Sequence, residues 1–135
     1  MAARPASEIA SFHAHVYFTA GAEAEAARRL REQVAERFAV RLGTWHDRAV
    51  GPHGRPSYQI AFGAELFASL VPWLMLNHGG LSILVHPNTR NPRRDHAENR
   101  LWIGAPVALD EAELPDHDDN PERAGEPNTT PTMTP

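Results

Sequence analysis

The chain has 135 residues, of which 41% are hydrophobic, and this is enough for one small domain with a modest core. It contains no cysteine, which excludes disulfides, a cysteine nucleophile and thiolate ligands, so any bound metal must be held by nitrogen and oxygen atoms. The net charge of -4 comes from residues 110–135, which hold eight acidic residues and one arginine, and the mildly basic remainder gives no reason to expect nucleic-acid binding.

The first predicted strand, residues 12–18, alternates apolar residues with histidines. Because successive side chains of a strand point to opposite faces, His13, His15 and Tyr17 should share one face and the apolar residues the other. Imidazole is a common ligand of transition metals and titrates near neutral pH. Two histidines on one strand face therefore indicate a functional site.

Six further segments follow, predicted from hydrophobic spacing and from glycine and proline positions. In chain order they are a helix, a strand, a loop, a strand, a helix and a strand, at residues 22–38, 40–45, 46–56, 57–62, 64–77 and 81–86. The second helix contains Pro72, which should bend or divide it. A short amphipathic segment ends at Trp102, and the chain then turns irregular.

This order predicts an α+β, ferredoxin-like split β-α-β fold, a four-stranded antiparallel sheet with two helices on one face. In the usual strand order the first strand lies between the third and the fourth, so His86 should lie near His13. Alternation along the fourth strand puts Leu84 and His86 on the face without helices. We therefore expect histidines of two neighbouring strands on that open face.

Residues 1–109 are predicted to form the domain, and residues 110–135 to form an acidic tail rich in proline and threonine. Such a tail cannot bury enough apolar area to offset its ordering entropy, so we expect it to be disordered and without a chemical role. The N-terminus lacks a signal-peptide pattern, and no apolar run approaches the roughly 20 residues of a membrane span. A cytoplasmic protein without a membrane partner is expected.

Three further histidines lie in predicted loops or next to them. His53 lies in a short rigid loop, Gly51-Pro52-His53-Gly54, that could fold its ring over the open face. His46, beside Asp47, is either a turn residue bonded to the backbone or a functional group. His96, after Asp95, either orients a neighbouring group or is exposed.

Several separated motifs resemble the family of DOPA 4,5-dioxygenases, the small fungal type involved in betalain pigment formation, which has many bacterial relatives. The motifs are FHAHVYF at 12–18, HDRAVGPH at 46–53, PWLMLNHGGLSILVHPNT at 72–89 and the stretch from Asp95-His96 through LWIG at 101–104. The resemblance covers about residues 10–110. It implies a ferredoxin-like homodimer that cleaves a catechol ring in the extradiol position with dioxygen and a non-haem metal, Fe(II) first, with Zn or Mn as alternatives.

Such an enzyme should supply only about three protein ligands, so that the metal can also bind both catechol oxygens and dioxygen. No strand carries a carboxylate in a suitable place, so the resemblance implies an all-histidine set. We expect the ligands to be His15, with His13 as its alternative, together with His53 and His86. The histidines left for acid and base roles are then His13, His46 and His96.

The substrate would be DOPA or a related catecholic acid. Arg90 or Arg94, after the fourth strand, could hold its carboxylate through paired hydrogen bonds, and Tyr17 could form a wall for its ring. The alternative function is a non-catalytic ferredoxin-like dimer that binds a small aromatic ligand or a metal ion. In that case the imidazoles would lie at a subunit contact.

Overall fold

The computed structural model describes residues 2–135 and contains one five-stranded antiparallel sheet in the order β2-β3-β1-β4-β5. The strands are β1 (Ser11–Tyr17), β2 (Arg41–Leu42), β3 (Ser57–Phe62), β4 (Ser82–Asn88) and β5 (Leu101–Ile103). The helices are α1 (Ala24–Arg37), α2 (Phe67–Asn77) and α3 (Pro92–Ala97), with short 3-10 turns at Ala6–Glu8, Ala64–Leu66 and Glu111–Glu113.

The predicted fold class is confirmed, because β1 lies between β3 and β4 and the first four strands follow the ferredoxin-like order. The prediction of four strands was wrong by one, since β5 adds to the free edge of β4, where Ile103 pairs with Ile83. Gly104 ends β5 with φ +75°, and a Cβ at this position would lie 2.6 Å from the carbonyl oxygen of Leu81. Glycine thus allows the chain to leave β5 close to the start of β4.

The second strand is shorter than the predicted 40–45, because regular pairing covers only Arg41 and Leu42. Beyond it, the Gly43 amide still donates to the carbonyl of Gln59 at 2.8 Å, and His46 forms an isolated bridge with Ser57. The predicted strand 57–62 agrees with β3, and Pro72 lies inside α2.

The hydrophobic core lies between one face of the sheet and two helices. Its members alternate along the strands and recur every three or four residues along α1, at Ala27, Leu30 and Val34. Each fully buried aliphatic side chain contributes roughly 1.5–3 kcal/mol. Because the apolar residues of β1 and β4 are buried on this face, the polar residues that alternate with them must point to the other face of the sheet.

The C-terminal residues are mostly irregular but make specific contacts with the domain. The side chain of Asn128 accepts from the amide of Leu42 at 2.7 Å and donates to its carbonyl at 2.8 Å, as a neighbouring strand would. The domain boundary at residue 109 stays a prediction. Within residues 2–135, no helix combines the length and apolar character needed to cross a bilayer.

Candidate metal centre

Three buried histidines meet on the sheet face that lies opposite α1 and α2. His13 and His86 are directly paired across β1 and β4, and His15 lies two residues further along β1. Their exposed fractions are only 6%, 1% and 5%, respectively. One ring nitrogen from each of the three lies within 4.8 Å of the others, so the three could hold a metal ion.

Hydrogen bonding orients the rings of this cluster. The Nδ1 atom of His86 lies 2.8 Å from the carbonyl oxygen of Pro87 and must donate to it, because a carbonyl oxygen only accepts. The lone pair of His86 is therefore on Nε2, the atom that lies 3.0 Å from Nε2 of His15. A backbone contact of this kind fixes the tautomer and the direction of a metal-ligating imidazole.

Burial keeps the rings of His15 and His86 neutral. Desolvation, followed by the nearby His86, lowers the pKa of His15 well below its ordinary value. Desolvation, followed by His96 and His13, likewise lowers the pKa of His86. Neutral imidazole is the form that binds a metal ion, so these two rings have the protonation state a ligand requires.

The cluster also fits a divalent ion in its spacing. Two nitrogens bound at right angles to one ion, each at about 2.1 Å, are about 3.0 Å apart. Nε2 of His15 and Nε2 of His86 are separated by 3.0 Å. Nε2 of His13 is buried without a well-directed hydrogen bond, although Oε1 of Glu122 lies 3.1 Å away, off the direction of a ring N–H. Such an orphaned nitrogen is free to bind a cation.

A second layer of histidine and tyrosine lies beside this cluster. The ring centroid of His53 is 4.3 Å from that of His15, and Nδ1 of His53 lies 2.6 Å from the hydroxyl of Tyr17. Tyr17 is buried, and desolvation raises its pKa, so it keeps its proton and is able to donate it to Nδ1. In that arrangement the hydrogen of the neutral His53 ring is on Nε2. Desolvation lowers the pKa of His53 to about 4, which keeps the ring neutral at physiological pH.

His96 lies on α3, and its two ring nitrogens have donor and acceptor roles opposite to those described for His53. Its Nδ1 donates to the carbonyl of Pro92 at 2.8 Å, which leaves the lone pair on Nε2. Its ring centroid is 3.8 Å from that of His86. The preceding Asp95 is buried and accepts from the amide and the hydroxyl of Thr89, each at 2.7 Å. This contact joins α3 to the end of β4 and so positions His96.

Four of these histidines face a cavity of about 250 Å³. It is lined by His13, His15, Pro52, His53, Gln59, Asn88, Thr89, Pro92, Asp95, His96, Leu114, Asp118 and Glu122. Gln59 is paired with His15 across β3 and β1, and the alternation of the strand 57–62 could have placed it on the open face. Leu114, Asp118 and Glu122 come from the irregular C-terminal segment, for which the sequence offers no signal of strand or helix.

Five residues proposed from the sequence are not in the lining of this cavity. Two of them, His86 and Tyr17, contact histidines that line it, and the other three lie elsewhere. His46 bridges Ser57 through its backbone and is half-buried. Arg90 is exposed and its carbonyl accepts from the amide of Asp118 at 2.7 Å. Arg94 is exposed on α3 and lies 3.5 Å from Glu98. The structure also groups His13, instead of the expected His53, with His15 and His86.

A larger cavity, of about 360 Å³, lies beneath the N-terminal segment. Its walls include Arg4, Phe12 and Phe67, and the guanidinium of Arg4 is paired with Glu8 at 2.6 Å. It has one histidine, His86, in its lining. The smaller cavity is the stronger candidate for a site because the converging imidazoles face it.

Comparison with known proteins agrees with this geometry. The sequence profile described as the Dopa 4,5-dioxygenase family matches residues 12–113, which is most of the chain and includes His86 and the four histidines that line the cavity. The chain belongs to this family. Family membership therefore confirms the resemblance expected from the sequence motifs.

Two curated fungal proteins and one solved structure are similar to the chain. It is 42% identical over 117 residues to the DOPA 4,5-dioxygenase of Amanita muscaria, a match that covers 81% of this chain and 51% of that protein. It is 34% identical over 111 residues to an uncharacterized 21.2 kDa protein of Botryotinia fuckeliana, covering 74% and 61%. The chain thus spans only about half to three-fifths of these relatives.

The solved structure is a crystal structure of a "putative dioxygenase" from Nostoc punctiforme. It is 50% identical in sequence and superimposes with a TM-score of 0.80, covering 82% of this chain and 96% of that one. The chain therefore shares its fold with that protein over nearly the whole length of the latter.

Proposed function

We propose that the chain is an extradiol ring-cleaving dioxygenase that acts on a catechol and uses a divalent non-haem metal, Fe(II) as first choice. The observation that carries the proposal is the convergence of three buried imidazoles, those of His13, His15 and His86, whose ring nitrogens lie within 4.8 Å of one another. The membership of the chain in the Dopa 4,5-dioxygenase family supports the proposal. When bound, the metal would bring catechol and dioxygen together and transfer electrons between them.

In this proposal the protein holds the ion from one side only. Three imidazoles on adjacent strands occupy the sheet face, and the cavity of about 250 Å³ extends away from them. Ligand positions on the cavity side stay open for reactants, as the chemistry requires. His53, expected as a ligand from the sequence, is instead assigned to the second layer, because the group of converging ring nitrogens consists of His13, His15 and His86.

Two histidines are suited to move protons. Nε2 of His96 carries a lone pair, so it can accept a proton from a catechol hydroxyl. With Tyr17 donating to Nδ1, Nε2 of His53 carries a hydrogen that it can donate to an oxygen of the reacting substrate, and Tyr17 can replace the proton through Nδ1. The neighbouring groups thus give the two rings complementary acid and base roles.

The substrate carboxylate partner stays a prediction. Arg90 and Arg94 remain candidates only if their exposed side chains turn toward the cavity. The homodimer and the cytoplasmic location are also proposals. The alternative, a non-catalytic binding protein, has no specific observation in its favour.

The test is oxygen uptake with a panel of catechols. Protein stripped with a chelator and reloaded with Fe(II) under air should consume one dioxygen per catechol and form a yellow ring-opened product near neutral pH. His86→Ala should lose more than about 99% of this rate, because a ligand is removed. The matched control is His117→Ala, which changes an exposed histidine paired with Asp119 at 2.7 Å and should keep the full rate. No oxygen uptake by Fe(II)-loaded protein with any catechol would contradict the proposal.

A further inference from the structure

The C-terminal segment from Leu114 to Glu122 forms one wall of the histidine cavity. Backbone hydrogen bonds attach this segment to the elements that carry the site. The amide of Arg93 donates to the carbonyl of Pro115 at 3.0 Å, and the amide of Asp118 donates to the carbonyl of Arg90 at 2.7 Å. The hydroxyl of Ser11, at the start of β1, donates to the carbonyl of Glu122. The position of Glu122 is therefore set by the same strand that carries His13 and His15.

The carboxylate of Glu122 directly contacts the histidine cluster. Its Oε1 lies 3.1 Å from Nε2 of His13, but this nitrogen has no well-directed hydrogen bond. A short distance without a directed bond is typical of two ligand atoms that face a shared cation, for which about 3.0 Å is expected. The side chain is 56% exposed, so its torsions are free to adjust when a cation binds.

The other carboxylates at the cavity are already engaged. Asp95 accepts from Thr89 twice, and Asp118 accepts from the amide of Asn120 at 2.9 Å. Glu122 is thus the carboxylate that remains for an ion held by three neutral imidazoles. An anionic oxygen there would offset part of the charge of a divalent cation, which neutral rings cannot do.

We propose that Glu122 belongs to the metal centre and supplies a carboxylate oxygen to the cation held by His13, His15 and His86 while no substrate is bound. The incoming catechol would displace this exposed side chain, so that three protein ligands remain during the reaction. This inference rests on the proposed function, because it takes the three histidines as metal ligands. Glu122 lies outside the residues 12–113 that match the family, so the match does not assign it. The C-terminal segment is then a part of the site instead of an inert tail.

The test measures Co(II) binding to the full chain by competition with a chromophoric chelator, together with the visible Co(II) spectrum. Glu122→Gln, which keeps the shape and removes the charge, should weaken binding at least about tenfold and shift the spectrum. Glu122→Asp keeps a carboxylate and should retain more affinity than Glu122→Gln. The control Glu126→Gln changes another acid of the same segment and should bind Co(II) as the wild type does.

Wild-type affinity and spectrum in Glu122→Gln would overturn the inference and leave the three-histidine centre standing. Absence of Co(II) binding by the wild-type protein would overturn both the inference and the metal centre. The thermal midpoint of metal-free Glu122→Gln should equal that of the wild type, because this half-exposed side chain makes no large contribution to stability. A weaker affinity at equal stability therefore supports ligation over a structural role.

Discussion

The histidines of the site all have the same imidazole side chain, but their hydrogen-bond partners give the rings different chemical roles. A carbonyl oxygen next to Nδ1 leaves a lone pair on Nε2 of His86 and His96, whereas the phenol of Tyr17, when it donates to Nδ1, leaves a hydrogen on Nε2 of His53. Burial lowers the pKa of all three rings, so these tautomers persist at neutral pH. The distinction between ligand, base and acid is thus made by one partner atom for each ring.

Tyr17→Phe should separate the role of His53 from metal binding. The substitution removes the donor to Nδ1, so the His53 hydrogen is no longer held on Nε2, and kcat should fall about 100-fold with little change in KM. Co(II) affinity should stay unchanged if His53 lies outside the ligand set. The control Tyr58→Phe removes a buried hydroxyl that donates to Ala27 at 2.9 Å, away from the cavity, and should keep kcat. A large loss of Co(II) affinity in Tyr17→Phe would contradict this assignment.

Alternation along the strands predicted the shared face of His13, His15 and His86, because the side-chain period of a strand is fixed. The direct pairing of His13 with His86 followed from the expected strand order. The partners of the rings could not be predicted, because the Tyr17–His53 contact depends on the path of a loop rich in glycine and proline. The contribution of Glu122 depends likewise on an irregular segment far along the chain.

At the scale of elements, the short helix α3 determines where His96 lies. Asp95 joins α3 to the end of β4 through two bonds to Thr89, and Asn99 donates to it as well, at 3.2 Å. The side chain of Asn91 accepts from the amide of Arg94 and caps the helix at its start. This local network keeps the ring of His96 against the ring of His86. The His96 side chain is buried and lines the cavity.

Asp95→Ala should destabilise the protein by about 3 kcal/mol, because it leaves the buried amide and hydroxyl of Thr89 without acceptors. Urea unfolding of the metal-free protein measures this change. Glu98→Ala, one turn away on an exposed surface, should change stability by less than about 0.5 kcal/mol. Equal stability of the two variants would show that the Asp95 contacts do not hold α3.

The regular elements were largely predictable, and the exceptions have physical reasons. Strand β3 coincides with its predicted range, since six residues of alternating character are a clear signal. Strand β5 has three residues, too few for alternation to be distinguished from a helical pattern. The second strand was predicted too long, because Gly43 and the following residues leave regular pairing although some backbone bonds continue.

In the molecule as a whole, the two faces of the single sheet have different roles. The face covered by α1 and α2 contains the hydrophobic core, and the other face contains the histidines. The chain closes that second face itself, with α3, the loop that carries His53 and the segment that ends at Glu122. This arrangement favours a cavity for small molecules over a subunit contact at the imidazoles.

The most direct test of the account is a crystal structure of the Fe(II)- or Co(II)-loaded protein with anomalous data at the metal edge. We predict one peak about 2.0–2.2 Å from a ring nitrogen of each of His13, His15 and His86, with the further inference adding a carboxylate oxygen of Glu122 in the absence of substrate. A peak bound by other residues, or the absence of a peak from protein that was loaded with metal, would contradict it.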